Sequence, residues 1–147
     1  MSAEENKAIV LRWFNAQSSA IYDLATLDEL TAPDFVYHNP AYPEVRTHEE
    51  HKQKIIIGFT AAFPDIKYNI EDIIAEGDKG VLRYSFSGTH KGEFKGIAPT
   101  NKRVELTSIC ILRLADGKVA EMWVENNSLV FHATAWRSPA ASRTLPC

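Results

Sequence analysis

His90 ends an alternating run, Val81-Leu82-Arg83-Tyr84-Ser85-Phe86, and opens a glycine-punctuated segment that closes at Pro99-Thr100. An imidazole titrates near neutral pH. Partly desolvated at the mouth of a pocket it stays neutral and can take up or give a proton, which makes His90 the candidate acid–base group. His38 and Asn39 lie in Tyr37-His38-Asn39-Pro40. They can orient a carbonyl or enolate oxygen by hydrogen bonding, although an asparagine before proline also suits a turn. Asn126 is neutral and can bind a carbonyl but cannot move a proton.

Two further groups invite chemistry and do not support it. His48-Glu49-Glu50-His51 carries two histidines and two carboxylates, but not the spacing of a zinc-protease helix, which puts two residues between the glutamate and the second histidine. Glu50 is explained by a capping box with Thr47, so no metal is expected there. Cys110 sits among Ile109, Ile111 and Leu112 and reads as a small buried hydrophobe. With Cys147 it makes two cysteines, too few for a disulfide scaffold.

The elements that must hold these residues are legible in outline. Ser2-x-x-Glu5, Thr26-x-x-Glu29 and Thr47-x-x-Glu50 each read as a capping box opening a helix. The first helix carries Ile9, Val10, Trp13 and Phe14 on one face, and the second is short, about Leu27 to Leu30. The third carries Ile55, Ile56, Phe59, Ala62 and Phe63 and stops before Pro64. Alternation then predicts strands over 66–76, 81–90, 103–114 and 118–126, with Asp116-Gly117 as a hairpin turn. A short extra strand is expected near Phe35–His38, and a last helical turn near Leu129–Phe131. Helices first and an antiparallel meander last mean an α+β domain, helices packed on one face of a curved sheet.

Strand parity sorts side chains into two faces. Leu106, Ser108, Cys110 and Leu112 share a face with Ala120, Met122, Val124 and Asn126. Glu105, Thr107, Arg113, Glu121, Trp123 and Glu125 fall opposite, which puts a tryptophan on an outer face. Leu82, Tyr84, Phe86, Gly88 and His90 form an inward row.

The 147 residues make one domain, expected over residues 1–136 with a loose tail at 137–147. A net charge of −3 leaves no basic footprint, which argues against nucleic acid. No apolar run approaches a membrane span, and the N-terminus lacks the pattern of a signal peptide, so a cytoplasmic location is the default expectation.

Taken in order, several stretches resemble the SnoaL-like polyketide cyclase family, within the wider ketosteroid isomerase-like superfamily. They are Leu27 to Pro40, Phe59-Thr60-Ala61-Ala62-Phe63-Pro64-Asp65, Gly88 to Phe94 with its Ile97-Ala98-Pro99-Thr100 closure, and Leu112-Arg113-Leu114-Ala115-Asp116-Gly117-Lys118-Val119. The resemblance implies a cone-shaped α+β barrel enclosing one mostly apolar pocket. It also implies a homodimer or homotetramer joined through the outer sheet face, and chemistry without metal or organic cofactor. In the family's cyclases an aspartate on the last strand and a histidine on its neighbour perform an intramolecular aldol closure. In this chain those positions fall on Val124 and Cys110, so that pair is not available.

The expectation is therefore a cofactor-independent enzyme acting on a hydrophobic, carbonyl-bearing, polyketide-like molecule by proton transfer with cyclisation or isomerisation. His90 is the acid–base candidate, with His38 and Asn39 orienting the substrate. Trp13, Phe14, Tyr84, Phe86, Cys110, Met122, Val124 and Asn126 would shape the pocket. A non-catalytic ligand-binding protein is the alternative. An epoxide hydrolase ranks last, because no inward Asp-Arg-Asp set is found.

Overall fold

The structure is a computed structural model and describes residues 2–18 and 21–127. Helix α1 (Ala3–Asn15) opens with the expected box: Glu5 N–H donates to Ser2 Oγ at 3.1 Å, and Ser2 N–H donates to Glu5 Oε1 at 3.0 Å. Val10, Trp13 and Phe14 are buried on its inner face. Helix α2 (Leu24–Leu30) begins earlier than the Thr26 box predicts. Asp23 is the cap, accepting from the Thr26 amide at 3.1 Å and the Thr26 hydroxyl at 2.6 Å. A carboxylate accepts both donors at once, so it displaces the hydroxyl from the capping position.

The third helical stretch starts as expected. Thr47 Oγ1 accepts from the Glu50 amide, while Glu50 Oε1 accepts from the Thr47 amide. Helix α3 (His48–Glu50) runs directly into a π-helical segment (His51–Ile57) and then α4 (Gly58–Ala62). The periodicity gave no sign of the wide turns. Segments of this kind are rare and often accompany functional sites.

Five strands form one sheet in the order β1-β5-β4-β3-β2. They are β1 (Thr31–His38), β2 (Lys67–Glu76), β3 (Lys79–Thr89), β4 (Arg103–Ala115) and β5 (Lys118–Asn126). The run β2 to β5 is the expected antiparallel meander, and Asp116 and Gly117 both take left-handed backbone at the last hairpin. β1 is longer than expected and pairs parallel with β5, so the sheet is mixed. The helices cover its inner face. The expected turn at Leu129–Phe131 and the tail 137–147 lie outside the described residues. No helix among the described residues is long and apolar enough to cross a membrane.

Parity holds along β4: Val104, Leu106, Ser108, Cys110, Leu112 and Leu114 are buried, and their neighbours are not. The outer face carries a row across every strand, Ile74, Val81, Ile111, Trp123 and His38, each paired with the next. Between β3 and β4 the chain forms a strap. Its base docks on α4, where Lys91 N–H and Gly92 N–H both donate to the Ala62 carbonyl at 3.0 and 3.1 Å. Gly92 lies so close to that helix that a Cβ would stand 2.2 Å from the Ala61 carbonyl oxygen, so only glycine fits.

Candidate active site

The inner faces of β1, β2, β3 and β5, closed by the helical stretch, enclose a small cavity. It is lined by Tyr37, Asn39, Ile55, Phe59, Tyr68, Tyr84, Phe86, Val124 and Asn126. Its volume is ≈ 40 Å³, room for a few water molecules. A second small hollow, ≈ 50 Å³, adjoins it and shares Asn39 and Asn126, together with Pro40, Ala41 and Glu125. These two asparagines mark the mouth.

Most of the wall is aromatic. Phe14 stands behind it, with its ring 4.8 Å from Tyr84 and 5.7 Å from Tyr68. The titratable side chains of the lining are the three phenols. Burial pushes the hydroxyls of Tyr37, Tyr68 and Tyr84 well above the ordinary tyrosine range, so all three keep their protons. They are neutral hydrogen-bond donors at any working pH.

Two short polar chains fix the donors. The Ser108 hydroxyl donates to Asn126 Oδ1 at 2.5 Å, with the Glu125 carbonyl a longer second acceptor at 3.2 Å. Tyr84 stands opposite Ser108 on the β3–β4 ladder. The Ser108 bond turns the amide of Asn126 so that Nδ2, the donating end, remains for a ligand. On the other side Asn39 Nδ2 donates to the Tyr37 hydroxyl oxygen at 2.9 Å, and Asn39 Oδ1 accepts from the Ala41 amide at 3.0 Å. Tyr37 keeps its own proton to give. The cavity thus offers neutral donors, Tyr37 O–H and Asn126 Nδ2, with the half-buried Tyr68 in the same wall.

The residues expected from sequence separate into three groups. Asn39, Tyr84, Phe86, Val124 and Asn126 meet at the cavity. Asn39 acts through Tyr37, because both ends of its amide are engaged. Trp13, Phe14, Cys110 and Met122 are core residues behind the wall. Trp13 donates from Nε1 to Thr31 Oγ1 at 2.8 Å, and burial pushes the Cys110 thiol up to about 12.

The two histidines lie elsewhere. His38 is on the outer sheet face, stacked on Trp123 at 5.3 Å and 2.6 Å from Glu121 through Nε2. Parity along β1 explains this, since Phe35, Tyr37 and Asn39 take the inward positions. His90 is fully buried and inward, as the β3 row predicts, but it is not among the residues lining the cavity. Its ring packs 5.7 Å from Phe63, and its Nδ1 lies 3.0 Å from the Thr100 hydroxyl and 3.3 Å from the Thr100 amide. Desolvation lowers its pKa, against an opposing hydrogen bond with the Gly92 backbone.

Four lining residues went unnoticed in the sequence: Tyr37, Ile55, Phe59 and Tyr68. Parity could have supplied two of them. Tyr37 alternates with His38, and Tyr68 faces Phe86 across the β2–β3 ladder. His51 was also set aside. It is 1 % exposed, stacked on Trp13 at 5.8 Å and packed 4.6 Å from Tyr37. Among the described residues no three metal-ligating side chains converge.

A model of SnoaL-like polyketide cyclases matches residues 8–131. The chain belongs to the SnoaL-like polyketide cyclase family. Solved relatives include AclR of Streptomyces galilaeus, provisionally assigned as a hydroxylase. It is 30 % identical, with a TM-score of 0.77 over 99 % of this chain and 85 % of that one. IdmH of Streptomyces antibioticus, provisionally assigned as a polyketide cyclase, is 30 % identical, with a TM-score of 0.74 over 87 % and 96 %. An NTF2-like protein of Burkholderia thailandensis, 15 % identical with a TM-score of 0.72 over 99 % and 100 %, shares the fold alone. A comparison with curated proteins finds no match. Within this family the cavity described above holds neither carboxylate nor imidazole among its lining residues.

Proposed function

We propose that this SnoaL-like protein binds a hydrophobic, carbonyl-bearing, polyketide-like molecule and promotes proton transfer leading to cyclisation or isomerisation, without metal or organic cofactor. The observation that carries this reading is the set of neutral donors, Tyr37 O–H and Asn126 Nδ2, held in an aromatic cavity. Such donors strengthen their bonds as a carbonyl oxygen gains charge on the way to an enolate. The α-proton passes to a water molecule, and stabilising the enolate oxygen lowers the barrier to that transfer without a strong protein base.

The test uses 1-tetralone, a compact aryl ketone whose α-protons exchange slowly in neutral D₂O. Saturable binding together with α-H/D exchange accelerated well over the buffer rate, followed by NMR, is the expected result. Binding without acceleration would instead establish the second reading, a carrier or receptor. The lack of an imidazole or carboxylate in the lining favours that alternative. No binding at all would remove both.

The outer sheet row supports self-association. Ile74, Ile109 and Ile111 are 61 %, 49 % and 38 % exposed beside Trp123, on a sheet face that no helix among the described residues covers. We expect a homodimer through this face. Ile111→Asp should shift the mass in sedimentation equilibrium from dimer to monomer, and a parent protein that is already monomeric would refute the expectation.

A further inference from the structure

The cavity is far smaller than the roughly 300–1,000 Å³ of small-molecule sites, so a ligand of that class fits only if part of the wall moves. The strap between β3 and β4 touches both ends of the cavity. Phe94 packs 5.1 Å from Phe59, a wall residue, and 5.5 Å from Phe63. Lys95 Nζ donates to the Ala41 carbonyl at 3.3 Å and sits 4.1 Å over the Tyr42 ring. Ala41 lines the mouth. Tyr42 is buried against Phe59 at 6.1 Å, and its amide donates to the Asn39 carbonyl at 2.9 Å. One side chain of the strap therefore props the wall, and the next one clips the mouth.

The strap tip is built as a separate unit. Phe94 and Ile97 exchange both backbone hydrogen bonds, at 3.0 and 2.9 Å, around Lys95 and Gly96. Both central residues are left-handed, φ 51° and 77°. Gly96 takes this conformation freely, whereas Lys95 is strained in it. A lysine stands where glycine or asparagine would be easier, and its ammonium is placed on a carbonyl and an aromatic face. Strained backbone held by its surroundings is characteristic of clamps and switches. The base is anchored differently. His90 N–H donates to the Lys102 carbonyl, Asn101 N–H donates to the His90 carbonyl, and His90 Nδ1 meets Thr100 across the strap.

We propose that residues 91–99 are a lid over this cavity, latched by Lys95 on Ala41 and Tyr42 and hinged at the His90–Thr100 pair. Release of the latch withdraws Phe94 from Phe59 and frees the Pro40–Ala41 mouth in one motion. This regulates the site of the proposed function and rests on that cavity being the ligand site. It also gives His90 a positioning role at the hinge.

The experiment follows 1,8-dihydroxyanthraquinone binding by stopped-flow fluorescence, and backbone hydrogen exchange without ligand. Lys95→Met removes the charge and keeps the length. It should raise the association and dissociation rates at least fivefold while leaving their ratio nearly unchanged. A cleavable bis-thiosulfonate bridge between Ala41→Cys and Lys95→Cys, in a Cys147→Ser background, should slow association at least tenfold until reductant releases it. Without ligand, the amides of 91–99 should exchange as a group at least fivefold faster in Lys95→Met, with β3 and β4 unchanged. Rates and exchange equal to the parent in both variants would overturn the lid. If the anthraquinone fails to bind any form while Lys95→Met speeds exchange of 91–99, the lid stands and the ligand-site reading fails.

Discussion

Stability is expected to fall steadily as pH drops from 6.5 toward 4.5, mostly before the carboxylates titrate, and His51 is the principal cause. Its ring lies between Trp13 and Tyr37 with Phe35 beside it, 1 % exposed, and its Nδ1 has no hydrogen-bond partner. Desolvation pushes its pKa down to about 3, with a smaller push from the His48 charge. Unfolded, the same imidazole takes a proton near 6.5. Between those values the unfolded chain binds more protons, so unfolding becomes easier as pH falls and stability recovers as pH rises through the window. From pH 6.5 to 4.5 the linkage is roughly 2–3 kcal/mol, a large share of a typical small domain's stability. His90 acts in the same direction. The lowered carboxyls of Asp23, Asp28, Glu49 and Glu50 add acid sensitivity from about pH 5 downward, because their contribution is present above the unfolded value and lost as pH falls through it. His51→Phe keeps the ring stack and removes the proton site. Urea midpoints of the parent should drop markedly between pH 7 and 4.8 while those of His51→Phe change much less. Equal drops would show that the lost stability comes from elsewhere.

How far the sequence reaches is clearest where local rules act alone. The Ser2 and Thr47 boxes, the Asp116-Gly117 turn and the burial alternation of β4 all follow from nearest-neighbour chemistry, and the structure has each of them. The Thr26 box failed because a carboxylate three residues upstream competes for the same amide. The parallel partner of β1 depends on a strand some 80 residues later, and the π-helical turns of His51–Ile57 leave the apolar pattern almost unchanged. For the site, parity placed Tyr84, Phe86, Val124 and Asn126 correctly. It also put His90 inward, which is true, but it could not say how far along the strand the cavity extends. His90 lies four residues beyond Phe86, where the strap already covers it. His38 was misplaced because a histidine next to an asparagine suggests chemistry, while the register of β1 turns the two to opposite faces.

Asn126→Leu should separate the two functional readings through a difference between binding and rate. Leucine matches the volume but offers no donor, and the residue is only half-buried, so the fold should tolerate it. Ser108 loses its 2.5 Å acceptor yet keeps the Glu125 carbonyl at 3.2 Å. One neutral hydrogen bond to a ground-state carbonyl is worth about 1 kcal/mol, so 1-tetralone affinity should fall about five- to tenfold. If the oxygen gains charge during reaction, the same donor is worth about 3 kcal/mol, about 2 kcal/mol more than in the ground state, and the exchange rate of bound ketone should fall about thirtyfold further. That split between affinity and turnover is the signature of an interaction made mainly in the transition state. Ser108→Ala removes only the group that turns the amide, so it should cost less. In the Asn126→Leu background it should cost almost nothing, because there is no amide left to orient. A loss of affinity with the exchange rate of bound ketone unchanged would mean that Asn126 holds ligand and transition state alike. The donors would then serve recognition, and the Ser108–Asn126 bond would exist to set which carbonyl is bound.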